Sequence, residues 1–204
     1  MEQRDRTREV LLDAAMMSLV VHGYAGTTTQ RVQERAGVSR GALLHHFGSK
    51  AELFVAATHH VADLRLARIR EIAAHAQGRP DARRQVIQAM REAMTGPPFQ
   101  AAMELWTASR TDSELRAALL PAERRLGGAL REVFDEFVHI NDPQLAQVRF
   151  ESLLALVRGL ELSRIMWHDD SVAERVIEAW LADLDAADRN LARTSSRSRA
   201  GRTG

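Results

Sequence analysis

The chain has 204 residues, 45% of them hydrophobic, a formal net charge of +1 and no cysteine. That length allows one large domain or two small ones around a real core, and the missing thiols exclude disulfides and thiolate metal sites. No 18-residue apolar run is present and the start, MEQRDRTREV, is charged, so neither a membrane span nor a signal peptide is expected and the chain is read as cytoplasmic.

No segment sustains apolar/polar alternation with β-branched enrichment. Apolar residues instead recur three and four apart, so the chain is predicted to be all-α. The first helix is expected over 7–22, with Val10, Leu11, Ala14, Ala15, Ser18 and Leu19 as its inner stripe and Gly23 as its end. Thr27-Thr28-Thr29-Gln30 reads as a capping box with Thr27 as the cap. A second helix then runs to Ala36-Gly37, and Ser39 caps a short third helix, RGALLHHF, that breaks at Gly48. Ser49-Lys50-Ala51-Glu52 is another capping box and opens a long helix to about Ala76.

Residues 28–47 hold the pattern that points to function. Two short helices joined by a tight glycine-containing turn make a helix-turn-helix, whose second helix is narrow enough to enter the DNA major groove. Val32, Ala36, Leu43 and Phe47 are expected to face inward. Arg40, Gly41, Ala42, Leu44, His45 and His46 are left to face outward or sideways. Arg40 has the two-pronged fork that reads guanine, or that holds a phosphate. The neighbouring pairs His45-His46 and His59-His60 are not chelates, because adjacent helical side chains point about 100° apart. No metal site, catalytic constellation or cofactor loop is expected.

Lys50 is the only lysine of the 28 basic side chains. At a helix start a cation costs about 0.3–1 kcal/mol against the helix dipole. A phosphate bound there would reverse that cost, so Lys50 is expected to grip the DNA backbone.

The order His22-Gly23, Tyr24-Ala25-Gly26-Thr27-Thr28-Thr29, then AGVSRGALLHHFGSKAELF, resembles the TetR family of bacterial transcriptional regulators over about 45 residues. The match includes Thr28, Ala36-Gly37-Val38-Ser39, Gly41, Leu43, His45, Phe47, Ser49-Lys50 and Leu53. The resemblance implies a three-helix DNA-binding domain, here 5–65, and a helical ligand-binding and dimerisation domain, here 66–188. It also implies a homodimer, a double-stranded operator and repression relieved by a small molecule. The DNA-contacting set it suggests is Thr27, Thr28, Thr29, Arg31, Ser39, Arg40, Gly41, Ala42, Leu44, His45, His46 and Lys50. The family often carries threonine where this chain has Ala42 and tyrosine where it has Leu44. Neither side chain here can donate a hydrogen bond, though both can pack on a thymine methyl.

Beyond residue 80, helices are expected over 81–95, 99–110, 113–139 with Pro121 as a bend point, 143–167, and from Ser171 to about 188. Met90, Met94, Phe99, Met103 and Trp106 offer flexible and flat apolar surfaces that either line an adaptable pocket or simply pack the core. Arg110 and Glu161 are polar candidates beside them, as is Glu104. In the family the last two helices pair with their mates. That role falls on Leu156, Gly159, Leu160, Ser163, Trp167, Val176, Trp180 and Leu184. Two recognition helices about one DNA turn apart would then read a palindrome. Residues 189–204 carry five arginines and no acid, and read as a basic, disordered and solvated tail.

Overall fold

The computed structural model describes residues 2–167 and 170–200. Among them are nine helices and no strand. They are α1 (Glu2–Gly26), α2 (Thr29–Ala36), α3 (Arg40–His46), α4 (Lys50–Ala76), α5 (Ala82–Ala93), α6 (Gly96–Ser109), α7 (Ser113–Phe137), α8 (Pro143–Ser163) and α9 (Asp170–Ala200). No described helix is long and apolar enough to cross a membrane.

The N-terminal elements follow local chemistry. The α1 backbone breaks at Gly23, whose φ of 63° is the left-handed region that glycine enters without a Cβ penalty. Thr28, not Thr27, is the cap of α2 and accepts from the Arg31 amide at 3.2 Å. The Thr27 hydroxyl is fully buried and shares its one proton between the Ser18 and Gly23 carbonyls, at 2.8 and 2.7 Å. It therefore ties the end of α1 together and is removed from the DNA-contacting set. Gly37, at φ 66°, ends α2 in the left-handed conformation expected of a C-terminal glycine. Ser39 caps α3 through the Ala42 amide, and Ser49 caps α4 through the Glu52 amide. The Glu52 carboxylate reaches back to the Gly48 amide at 2.8 Å, one residue before the expected partner.

Other boundaries also shift. Val10 is exposed and Leu12, which lay outside the predicted stripe of α1, is fully buried. Helix α6 begins at Gly96, so Pro97 and Pro98 lie in its first turn, where a missing N–H costs nothing. Helix α7 continues through Pro121. Helix α8 stops at Ser163, short of the expected Trp167, and α9 extends past the expected end at 188 to Ala200, so residues 189–200 are helical where a disordered tail was expected. Residues 201–204 of the basic tail lie outside the described residues.

The chain forms two compact units, the first ending at Asn141 and the second beginning at Asp142. In the first, Leu11, Leu12 and Leu19 of α1, Val32 of α2, Leu43 and Phe47 around α3, and Leu53 and Phe54 of α4 share one core with Leu105 of α6 and Leu115 and Leu119 of α7. The helix-turn-helix thus has no private core. The functional boundary expected at 65/66 falls inside the unbroken helix α4. In the second unit, Leu153, Leu154 and Val157 of α8 and Ile177, Leu181 and Leu184 of α9 are buried.

Candidate nucleic-acid interface

Helices α2 and α3 are held by their inward residues. Val32 is fully buried, and Leu43 and Phe47 nearly so. With α3 pinned on that side, Arg40, Gly41, Leu44 and His45 lie at i, i+1, i+4 and i+5 and form one exposed face. Leu44 is 54% exposed although it is apolar, so this face has a hydrophobic contact available for a base edge. Ala42 and His46 are half-buried at its margins, and Ser39 is exposed at its start with its oxygen engaged by the Ala42 amide.

Around this face stand phosphate-sized donors. Thr28 is exposed at the start of α2 and Thr29 is half-buried beside it. The Arg31 guanidinium, also exposed, donates one N–H to the Gly26 carbonyl. A guanidinium has five such donors, so anchoring one leaves a fork facing solvent.

Two arginines escaped the sequence reading. The Arg8 guanidinium lies over the Phe47 ring, 5.6 Å from its centroid. His46 is held below the ordinary histidine pKa by partial burial, then by the positive groups His45, Arg4 and Arg8. The first turns of α1 therefore bring Arg4 and Arg8 to the C-terminal end of the recognition helix. The i,i+4 spacing of Arg4 and Arg8 was the available signal, but only the fold reveals which helix they flank.

Lys50 departs from expectation. Its ammonium donates to the Tyr24 carbonyl at 3.1 Å. It also sits over two rings, 4.7 Å from the centroid of Tyr24 and 5.4 Å from that of Phe54. Burial draws its pKa below the usual lysine range. A free carbonyl at the end of α1 and two aromatic faces thus offset the cost of a cation at the start of α4. In this state the group has an internal structural role.

The residues expected to line a ligand pocket lie in and around the core of the first unit, apart from Glu161. Met90, Met94 and Phe99 are buried, and Phe99 packs edge-on against Trp106 at 5.5 Å. Trp106 donates its indole N–H to Glu123 at 2.8 Å. Met103 is half-buried, Arg110 is exposed, and Glu161 is buried in the second unit with its carboxylate 3.7 Å from Arg164. An open groove of about 290 Å³ lies elsewhere, between Arg65, Ile69 and Ile72 of α4, Ala89 of α5 and Pro97 and Pro98.

On the second unit, Gly159 and Ser163 are exposed, Leu156, Leu160 and Val176 are half-buried, and Trp167 is 70% exposed. Trp180 and Leu184 are corrections to the expected dimer face. Both are buried within the chain, and the Trp180 indole bonds the Ser152 hydroxyl at 3.2 Å. Val148, Leu162, Ile165, Met166 and Val172 of the same unit are exposed and apolar.

A short helix with one face free, buttressed by a capped partner and flanked by arginines, defines a helix-turn-helix DNA-binding regulator. Residues 11–57 match the family described as bacterial regulatory proteins, tetR family. The chain is 32% identical over 163 residues to the HTH-type transcriptional regulator BetI of Burkholderia thailandensis, covering 78% of this chain and 82% of that protein. It is 29% identical over 137 residues to the HTH-type transcriptional repressor AcnR of Corynebacterium diphtheriae, covering 65% of this chain. There the chain spans just under two thirds of the relative's length, 66%. A structure of a putative TetR-family regulator from Mesorhizobium loti has the same fold, with a TM-score of 0.72 at 17% identity over 90% of this chain and 97% of that one. The chain belongs to the TetR family of transcriptional regulators.

Proposed function

We propose that this protein is a homodimeric repressor that binds a palindromic operator in the cytoplasm and leaves it when a small molecule binds among α4 to α7. It acts by binding and not by turnover. The observation that carries this reading is the exposed α3 face of Arg40, Gly41, Leu44 and His45, held rigidly by Val32, Leu43 and Phe47. Arg40 reads a guanine or holds a phosphate, Leu44 packs on a thymine methyl, and Thr28, Thr29, Arg31, Arg4 and Arg8 hold phosphates.

The apolar stripe on α8 supports the dimer. Val148, Ala155, Gly159 and Leu162 recur three, four or seven apart and are exposed, and Met166, just past the helix end, is exposed as well. The Ser163 hydroxyl bonds back to the Gly159 carbonyl at 2.8 Å, so it does not break the stripe with an unmet donor. Small residues there let two helices approach closely. Residues 5–65 serve as the DNA-binding part and 66–188 as the ligand-binding and dimerising part, although the two share helix α4.

The groove beside Ile69 and Ile72 is where an effector first meets α4. An effector releases DNA only if it binds the DNA-incompetent arrangement more tightly. The test is selection of bound fragments from a random-sequence DNA pool, followed by titration across salt. A repressor making several phosphate contacts loses affinity steeply as salt rises. A selected pool without a consensus, or a salt-independent weak interaction, overturns the reading.

A further inference from the structure

We infer that Tyr24 is a positioning residue whose polar contacts, added to the shared apolar core, couple the movements of α6 and α7 to the DNA-binding helices, giving the molecule a second mechanical link beside α4. This deepens the proposed release mechanism and rests on it. Tyr24 follows the Gly23 break and is held from four sides by three other helices. Its amide donates to the Glu104 carboxylate of α6 at 3.3 Å. Its carbonyl accepts from Lys50 on the first turn of α4 at 3.1 Å. Its ring stands edge-on to Phe54 of α4 at 5.9 Å. Its hydroxyl donates to Asp112 at 3.4 Å.

Asp112 is itself the cap of α7. One carboxylate oxygen accepts from the Leu115 amide at 2.9 Å while the other receives Tyr24. The start of α7 and the end of α1 therefore share one carboxylate. The Glu104 carboxylate is seated where a side chain at position 23 would be, with an oxygen 3.0 Å from an ideal Cβ there. Gly23 is also at φ 63°, so the break and the carboxylate fit one another.

The joint has consequences for α3. The end of α1 leads directly into Thr27 and Thr28, and so into α2 and α3. A displacement of α6 or of the start of α7 pulls on Glu104 and Asp112. It shifts Tyr24, and with it both the beginning of α2 and, through Lys50, the beginning of α4. Coupling of this kind is reciprocal, so DNA at α3 must also stiffen residues 104–115. That reciprocity allows a test without any effector.

The experiment is amide hydrogen exchange of the full chain, with and without a DNA fragment selected by the protein from a random pool. It compares wild type with the double variant Tyr24→Phe, Glu104→Ala. Tyr24→Phe keeps the aromatic ring, both substitutions alter an exposed or half-exposed position, and a melting curve checks that the variant is folded. In wild type, DNA slows exchange at 29–46 and also at 104–115, the latter at least about threefold. The variant keeps the slowing at 29–46 and loses it at 104–115, which a merely stabilising role would not produce. The inference is overturned if wild type shows protection at 29–46 only, or if the variant retains the wild-type response at 104–115. Absence of protection at 29–46 overturns the DNA-binding reading and takes the joint with it. An effector that never appears leaves the DNA-driven response intact and counts against ligand release alone.

Discussion

Arg40, Gly41, Leu44 and His45 on α3 lie open to solvent, as do Val148, Leu162, Ile165, Met166 and Trp167 in and just after α8. On α3 the exposed residues mix a forked cation, an imidazole, one branched apolar group and a glycine, and the inward side is locked by Leu43 and Phe47. In the α8 region large apolar residues are exposed beside polar ones such as Gln147 and Glu151, with Met166 and Trp167 each 70% exposed. Exposed apolar surface of that kind marks a protein partner, whereas a polar face with fixed donors suits a nucleic acid. What an exposed face binds is set by which groups it presents and by how firmly the helix behind them is held.

The sharpest way to break this comparison is to place a charge in the apolar face. Leu162→Asp should weaken self-association by roughly 100-fold, in line with a central interface residue at about 3 kcal/mol. Sedimentation velocity reads this directly, and operator affinity should fall with it because each protomer supplies one recognition helix. An unchanged sedimentation coefficient would show that the face is not the interface.

A smaller effect is expected on α3. Arg40→Ala should cost about 1–3 kcal/mol on the selected DNA and relax preference at one base pair if Arg40 reads a base. Uniform weakening on all sequences, with a salt slope lower by about one, would identify it as a phosphate contact instead. Fluorescence anisotropy on matched and mismatched fragments separates the two.

Lys50→Met is expected to act differently from Arg40→Ala. If the ammonium belongs to Tyr24, stability falls by about 1 kcal/mol, since one half-buried charged hydrogen bond is lost, and the salt slope of DNA binding stays the same. A slope lower by about one would restore the phosphate role expected from its place at the start of α4. Thermal melting and salt titration of the same variant decide between them.

The smallest effect concerns His59 on α4. Burial, followed by the nearby Arg125 charge, lowers its pKa below 6.5, with Asp63 opposing. The folded state therefore holds fewer protons than the unfolded one. Stability is full above about pH 6.5 and declines as the pH falls through that value toward the folded pKa. His59→Gln should flatten the acid side of a Tm-versus-pH profile by about 1–2 °C. A profile parallel to wild type would remove His59 from the account.

Much of this was legible in the sequence because it is local. Gly37, Ser39 and Ser49 declare a turn and two caps within four residues of the groups they serve, and all three do so in the fold. Thr27 and Thr28 show the limit. Either threonine could cap α2, and the choice turns on Ser18, nine residues away, whose carbonyl takes the Thr27 hydroxyl. Trp180 and Leu184 lie at helical spacing with Val176, but period alone does not say which apolar face meets the chain and which meets a partner. Tyr24 was least legible of all, because Glu104 and Asp112 are 80 and 88 residues distant in sequence.

The meeting of Tyr24 with Lys50 also matters for observing the molecule. They are its only tyrosine and its only lysine. A fluorotyrosine incorporated during growth would place a single fluorine resonance at the α1–α4–α6–α7 junction. An isotope-labelled methyl group added reductively to the lysine amine would place a second reporter about 5 Å from the same ring. Both signals arise at one point without any substitution, so motion at the junction can be followed as DNA is added.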